Sequence, residues 1–238
     1  YCVPKNSIMK YIINIDSNFK PVVGDDYIEL SLNNTIFPGG EPHFFIKDLP
    51  DNPGDLIITH RYKTPADLVI IILAHDAATR AGFTNIELVL PYFPGARQDR
   101  VCNPGEALTV RVFAEMINSC NFKHVHVYSP HSDVTTALVN NIRLIDLDNK
   151  FIEQIIIQRG YDNSPEINII CPDAGAGKRV SNLAKFVAWR FLNIKVNLIR
   201  CEKVRDILTG SLKEFVVHSD DLNGFPTIIC DDIVAYGG

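Results

Sequence analysis

The chain has 238 residues, 46% of them apolar and 21% charged, a balance that excludes collagen, a coiled coil and whole-chain disorder. A formal charge of −5 and a pI of about 5.8 offer no general attraction to a polyanion, so nucleic acid is not an expected partner. The longest wholly apolar run, Leu68 to Ala74, is too short to cross a bilayer and no basic-then-apolar leader opens the chain; a cytoplasmic protein without membrane contact is expected.

Strands are expected at Ile8–Ile15, Tyr27–Leu32, His43–Ile46 and Leu56–Thr59, separated by Gly-Asp, Pro-Gly-Gly and Asn-Pro-Gly turns. Thr64-Pro65-Ala66-Asp67 opens a helix with a hydroxyl at the N-cap, proline in the first turn and an acid at the third position, and Gly82 suits its left-handed end. A strand at Glu87–Leu90 leads into a loop from Pro91 to Gly105. A helix from about Glu106 to Cys120 follows, with Val110, Phe113, Met116 and Ile117 on one side. The strand Val125–Tyr128 ends at Ser129-Pro130-His131.

The pattern restarts at Phe151 with a helix to about Gln158, a strand at Ile167–Cys171, a glycine loop, and a helix carrying Val180, Leu183, Ala184, Val187 and Phe191. Short apolar runs at Val196–Ile199, Phe215–Val217 and Thr227–Cys230 suit buried parallel strands. An α/β fold of two doubly wound halves is expected, divided as 1–147 and 148–238, with the second half incomplete at its carboxyl end. The cysteines Cys2, Cys102, Cys120, Cys171, Cys201 and Cys230 are scattered without a CxxC, which suits reduced thiols and no structural zinc. The chain starts at Tyr1 and stops at Gly238 within a glycine-bearing stretch, so a longer protein is expected.

Ligands of such sheets bind beyond the carboxyl ends of the strands, and four loops there carry reactive residue types. Pro91 to Arg100 places Arg97, Gln98, Asp99 and Arg100 beside two aromatics; guanidinium forks suit phosphate and the amide suits a base, although a salt-bridged surface turn has the same composition. His131 follows a strand, where it could ligate a metal, transfer a proton, orient phosphate or be structural.

The third loop, Asp173-Ala174-Gly175-Ala176-Gly177-Lys178-Arg179, joins strand to helix and offers backbone N–H groups to an anion. It is not a Walker A loop, because Pro172 holds the first glycine's place and Arg179 follows the lysine. Its partial match to a dinucleotide fingerprint, with Glu202 as the ribose acid, fails at Val180, where a third glycine belongs. The fourth is Asp231-Asp232. Crowded carboxylates at a strand tip suit a divalent cation, a cis-diol or plain solvation, and the glycines that follow favour a sugar phosphate. Lys203 and Arg205 read as part of a basic loop before the same face.

Taken together, Pro-Tyr-Phe-Pro-Gly-Ala-Arg-Gln-Asp-Arg, the His131 strand end, Cys-Pro-Asp-Ala-Gly-Ala-Gly-Lys-Arg-Val and the terminal Asp-Asp resemble, in order and spacing, the ribose-phosphate pyrophosphokinase (phosphoribosyl pyrophosphate synthetase) family, in the compact form of phages and some bacteria. The resemblance implies two tandem type I phosphoribosyltransferase-like domains with mostly parallel sheets, an N-terminal one for ATP and a C-terminal one for ribose and phosphate. It implies ATP held by Arg97, Gln98, Asp99 and Arg100, with Phe37 and Glu41 reaching the adenine from a neighbouring subunit of a homo-oligomer, a dimer or a hexamer of dimers. His131 and Asp173 would be Mg2+-site residues, with His131 also counted among the catalytic ones. Asp173, Ala174, Gly175, Ala176, Gly177 and Lys178 would form the pyrophosphate-side loop, Asp231 and Asp232 the ribose clamp, and Gly237 and Gly238 part of the 5′-phosphate loop. Lys203 and Arg205 would sit in a flexible catalytic loop. The implied reaction transfers the β,γ-diphosphoryl group of Mg-ATP to the anomeric hydroxyl of ribose 5-phosphate in the cytoplasm, the host's if a phage encodes the chain.

Ala235 and Tyr236 stand where the family usually has an acid and then Thr or Gly. A 5′-phosphate monoester wants a tight nest of donors, which Tyr236 crowds and Ala235 impoverishes. A 5′-esterified ribose such as ADP-ribose, feeding NAD synthesis, therefore competes as the acceptor. The same residues also admit a catalytically silent regulatory homologue or a phosphoribosyltransferase; His131, Asp173, Lys203 and Arg205 count against the first, and the Arg97-Gln98-Asp99 loop with a second α/β half against the second.

Overall fold

The computed structural model describes residues 9–21, 27–128, 130–205 and 212–232, the side chains of 203–205, 212 and 213 excepted. The chain divides into two compact units, Tyr1–Ile145 and Asp146–Gly238. In the first, β1 (Lys10–Asn14), β2 (Tyr27–Glu29), β5 (Asp55–Thr59), β6 (Thr84–Leu90), β7 (His124–Tyr128) and β8 (Ile142–Ile145) form one parallel sheet in the order β2-β1-β5-β6-β7-β8. A separate antiparallel hairpin, β3 (Leu32–Ile36) and β4 (Pro42–Ile46), precedes β5. The expected strand Tyr27–Leu32 is thus split: it ends at Glu29, and Leu32 opens the hairpin.

Alternation along the strands decides which face is buried. Ile13, Leu56, Ile58, Leu88, Leu90, Val125 and Val127 meet α1 (Ala66–Arg80) and α2 (Thr109–Asn118) in one core, with Val134 and Leu138 of α3 (Asp133–Leu138) at its edge. Burying each of the large side chains contributes about 1.5–3 kcal/mol.

The starts of α1 and α2 differ from expectation for local reasons. No side chain at the α1 N-cap position bonds the helix; instead Asp67 Oδ2 reaches back to the N–H groups of Lys63 (2.7 Å) and Thr64 (2.6 Å). The α2 helix begins at Thr109 rather than Glu106, because the Glu106 carboxylate accepts from the N–H groups of Cys102 (2.8 Å) and Asn103 (3.1 Å) and Gly105 adopts φ +91°.

The second unit holds α4 (Asp148–Gln158), a 3-10 turn (Tyr161–Asn163), β9 (Glu166–Cys171), α5 (Gly177–Arg190), β10 (Lys195–Arg205), β11 (Leu212–Val217) and β12 (Thr227–Ile229). The sheet order is β11-β10-β9-β12, with β9, β10 and β12 parallel. Phe215–Val217 is not the buried parallel strand expected of it. It belongs to β11, which runs antiparallel to β10 at the sheet edge and leaves Phe215 and Val217 each 44% exposed. A short apolar run does not reveal its direction; a six-residue connection to β10 permits only a hairpin return. The core joins Ile152 and Ile156 of α4, Ile167 and Ile169 of β9, and Val180, Leu183 and Val187 of α5. Among the described residues, no helix is long and apolar enough to cross a membrane.

Candidate active site

Parallel neighbours bring their carboxyl ends to the same edge, so loops far apart in sequence become adjacent. In the first unit, β6 and β7 pair from Glu87 with His124 to Leu90 with Val127. The loop after β6 and the His131 turn after β7 therefore lie side by side. Phe93 and Ala96 are each 1% exposed and anchor the first loop in the core, while Arg97 and Gln98 remain at the surface. Gly95 adopts φ +72°, and the turn folds against α2, where Thr109 Oγ1 donates to Gln98 Oε1.

Asp99 is the buried partner of an exposed arginine. Arg100 Nε donates to Asp99 Oδ1 at 2.9 Å, with side-chain exposures of 76% for the arginine and 6% for the acid. The Arg100 hydrogen bond is the main cause that holds the Asp99 carboxyl below its ordinary range; burial opposes it, while Ser132 and the charge of His131 assist it. Two of the predicted site loops are thereby brought together, Asp99 from one and His131 from the other. Arg97 is exposed and makes no ion pair among the described residues.

Phe37 and Glu41 close the β3–β4 hairpin, where the Phe37 N–H donates to the Glu41 carbonyl at 2.8 Å. Phe37 is half exposed and packs on His43 with ring centroids 5.1 Å apart. Sequence reasoning missed a polar cluster after β1 and β5: Asp16, 6% exposed, meets Lys63 Nζ at 2.9 Å and Arg61 Nε at 3.2 Å. Its only local signal was two cations immediately following a strand.

In the second unit β9 and β12 are parallel neighbours, pairing Asn168 with Thr227 through Ile170 with Ile229. The glycine loop and the acidic pair are therefore adjacent. The loop is tightened by the Ala176 N–H donating to Asp173 Oδ1 at 3.1 Å and by Cys171 Sγ donating to the Asp173 carbonyl at 3.0 Å. One N–H of the anion cradle is thus occupied by the loop's own carboxylate. Val180 is fully buried in the core, so its methyl groups do there what a dinucleotide-binding glycine could not.

Asp231 and Asp232 are half-buried, and the Asp232 N–H donates to Asp231 Oδ1 at 2.9 Å. Burial first, then a hydrogen bond to the Asp232 side chain and the charges of Asp232 and Asp173, push the Asp231 carboxyl above its ordinary range. Asp173 of the glycine loop is thus within electrostatic reach of Asp231. Arg179, quoted in the motif without a role, forms a fork on Asp148, with Nε to Oδ2 and Nη2 to Oδ1 both at 2.6 Å.

Lys203 and Arg205 do not lie in a loop. Their backbone belongs to β10, Lys203 pairing with Phe215 and Arg205 with Leu212, because β11 extends the strand as a hairpin; their side chains lie outside the described residues. Gly237 and Gly238, with Ala235 and Tyr236, also lie outside them. His131 belongs to the first unit and Asp173 to the second, and no group of three or more His, Cys, Asp or Glu suited to a metal occurs among the described residues. A magnesium ion carried by phosphates and water needs only one or two protein ligands, so a carboxylate such as that of Asp173 suits it better than an imidazole does.

Residues 40–120 match the family described as the N-terminal domain of ribose phosphate pyrophosphokinase. The chain is 28% identical over 204 residues to the ribose-phosphate pyrophosphokinase of Pyrococcus abyssi, covering 85% of this chain and 66% of that one. It is also 28% identical over 206 residues to the enzyme of the same name from Aeropyrum pernix, with 85% and 63% coverage. The chain thus spans just under two-thirds of the length of these relatives. The fold matches the crystal structure of phosphoribosylpyrophosphate synthetase from Mycobacterium smegmatis with a TM-score of 0.73 and 16% identity, covering 93% of this chain and 70% of that one.

Proposed function

Taking as premise that this chain is a relative of the ribose-phosphate pyrophosphokinases, we propose that it transfers the β,γ-diphosphoryl group of Mg-ATP to the anomeric hydroxyl of ribose 5-phosphate, releasing AMP. The anomeric oxygen attacks the β-phosphorus, the bond from that phosphorus to the oxygen bridging it to the α-phosphorus breaks, and the hydroxyl proton is released. The observation that carries this reading is the parallel pairing of β9 with β12, which sets the acidic pair Asp231-Asp232 beside the glycine loop, since adjacent acids next to a strand-to-helix anion loop suit a sugar that bears both a diol and a phosphate.

In this reading the first unit holds the nucleotide. Arg97 pairs with the phosphates, Gln98 bonds the base, and Asp99 keeps Arg100 oriented through their shared hydrogen bond. The half-exposed Phe37 and Glu41 serve the adenine of a neighbouring subunit in a homo-oligomer. The second unit holds the sugar, with Asp231 and Asp232 accepting from its two hydroxyls and the 173–178 loop facing its diphosphate. Asp173 would hold magnesium, which neutralises charge on the phosphoryl oxygens when bound. Lys203 and Arg205 supply further positive charge to those oxygens, so positioning and electrostatics carry the rate.

Ala235 and Tyr236 favour a second reading, in which the acceptor is a 5′-esterified ribose such as ADP-ribose. Mass spectrometry of products from ATP, Mg2+ and each sugar tests both. AMP with phosphoribosyl pyrophosphate supports the first, preference for ADP-ribose supports the second, and absence of sugar-dependent AMP refutes both in favour of a non-catalytic homologue.

A further inference from the structure

Arg200 ends the parallel pairing of β10 with β9, where it stands in register with Cys171, the last residue of β9. Its strand therefore delivers it to the edge from which the glycine loop departs. The spacing to that loop is short: a β-carbon on Gly177 would lie 3.8 Å from Arg200 Nη1, while one on Gly175 would lie 3.3 Å from Asp173 Oδ1. The two glycines are thus flanked differently, Gly175 by the loop's own acid and Gly177 by a guanidinium from the neighbouring strand. Burial raises the Cys171 thiol, the charge of Arg200 opposes that, and the charges of Asp173 and Asp231 reinforce it, so all three act at one strand end.

The balance of charge explains why a cation is needed there. β9 lies between β10 and β12, so Asp231 and Asp232 flank the loop on the side away from Arg200. A diphosphate facing the loop would meet these acids and Asp173, whose carboxylate already occupies the Ala176 N–H. Arg179, the arginine within the motif, is committed to Asp148 by two bonds of 2.6 Å. Arg200 is exposed, and its guanidinium makes no ion pair among the described residues. Glu202, two residues further along β10, instead pairs with His218 at 3.2 Å. We propose that Arg200 is a further diphosphate-binding residue, its guanidinium pairing with phosphoryl oxygens held at the 173–178 loop and offsetting the acids around them. This role rests on the proposed diphosphoryl transfer. Two parallel N–H donors can grip two oxygens of one phosphoryl group, which an ammonium cannot do. The contact is to the diphosphate at C1 and not to the sugar hydroxyls, so it favours the product over the acceptor.

Calorimetry on the full chain with Mg2+ compares phosphoribosyl pyrophosphate with ribose 5-phosphate, and thermal unfolding is followed alongside. Arg200→Gln should weaken phosphoribosyl pyrophosphate about tenfold or more, leave ribose 5-phosphate within about threefold, and leave Tm within about 2 °C, since an exposed guanidinium without an ion pair holds little of the fold. Arg200→Lys should recover part of the loss, because it keeps the charge without the fork. Lys185 lines the same groove between α5 and β10, about two helical turns beyond Gly177, and Lys185→Gln serves as the charge control: it should leave both ligands within about twofold. Equal weakening of the two sugars in Arg200→Gln, with or without a fall in Tm, overturns the assignment, and so does a loss that Lys185→Gln reproduces. Product affinity within about twofold of wild type in Arg200→Gln overturns the role of Arg200 alone. A wild-type protein that binds neither sugar overturns this role together with the proposed reaction.

Discussion

A β-carbon on Gly95 would lie 2.9 Å from Thr109 Cγ2 and 3.2 Å from the Thr109 carbonyl carbon, at a residue whose φ is +72°. The turn bearing Arg97 and Gln98 is thus pressed against the start of α2 by the absence of one methyl group. Gly95→Ala meets both a left-handed backbone and a backbone contact that cannot yield, at a cost of about 2–4 kcal/mol. Thermal unfolding should show a fall of roughly 5–15 °C, with weaker ATP binding because Gln98 is displaced from Thr109. An unchanged Tm would show that Gly95 does not press on Thr109.

The buried Asp16 makes stability depend on pH in a definite direction. The hydrogen bond from Lys63 leads the causes that lower its folded pKa; burial opposes it, and Asn18 and Arg61 assist. A carboxyl lowered by folding contributes its full stabilisation above its unfolded value near 4, and loses it as pH falls through the lower folded value. Urea titrations between about pH 6 and 2 should show wild type losing this contribution. Asp16→Asn should start about 1–3 kcal/mol less stable at pH 7 and show a shallower acid decline.

The cysteines should separate by reactivity. Cys102 is exposed, whereas burial pushes the Cys230 thiol up to about 11 despite the opposing charge of Arg179. At pH 8 its thiolate fraction falls short of an ordinary cysteine's by a factor on the order of 10². Mass spectrometry after brief alkylation should find Cys102 modified and Cys171, Cys201 and Cys230 intact until the protein unfolds. Rapid labelling of Cys230 in the folded protein would contradict the partial burial that raises its thiol.

Much of this architecture was legible from apolar spacing. The buried helices α1, α2 and α5 and the central strands β5, β6, β7 and β9 carry periodic apolar runs that only one element type can bury. The exposed and short elements do not: α3 has six residues, β8 four, and β11 declares its direction only through pairing. The site loops were visible because glycine, proline and charge cluster after strands. The ion pairs around them were not, since Arg179 meets Asp148 across 31 positions and Arg61 meets Asp16 across 45, and no local pattern records such a meeting.

Lys203 and Arg205 both belong to β10, whose register against β11 shifts between Val204 and Arg205. If both face the transferring phosphoryl group, Lys203→Ala and Arg205→Ala should each lower kcat by about 10²- to 10³-fold, while the neighbouring Val204→Ala leaves kcat within about threefold. Steady-state AMP release measures this. Full turnover in Lys203→Ala would remove that lysine from the reaction.

Asp231 sets stability against binding. Partial burial, and then the Asp232 hydrogen bond and the charges of Asp232 and Asp173, raise its folded pKa, so ionising it in the empty protein works against the fold. The sign is opposite to that of Asp16: stability is greatest while Asp231 keeps its proton, and declines as pH rises from the unfolded value through the raised folded one. Asp231→Asn keeps the shape and removes the charge. Its Tm at pH 7.5 should exceed wild type by roughly 1–3 °C, and the two proteins should converge as the pH is lowered toward about 4. The same change should weaken ribose 5-phosphate about 10- to 100-fold, because an amide lacks the charged acceptor that a diol hydroxyl prefers. Scanning calorimetry across pH, with and without the sugar, measures both effects on one sample series. A variant less stable than wild type at pH 7.5 would mean that Asp231 is satisfied by partners in the empty protein instead of being held ready for a ligand.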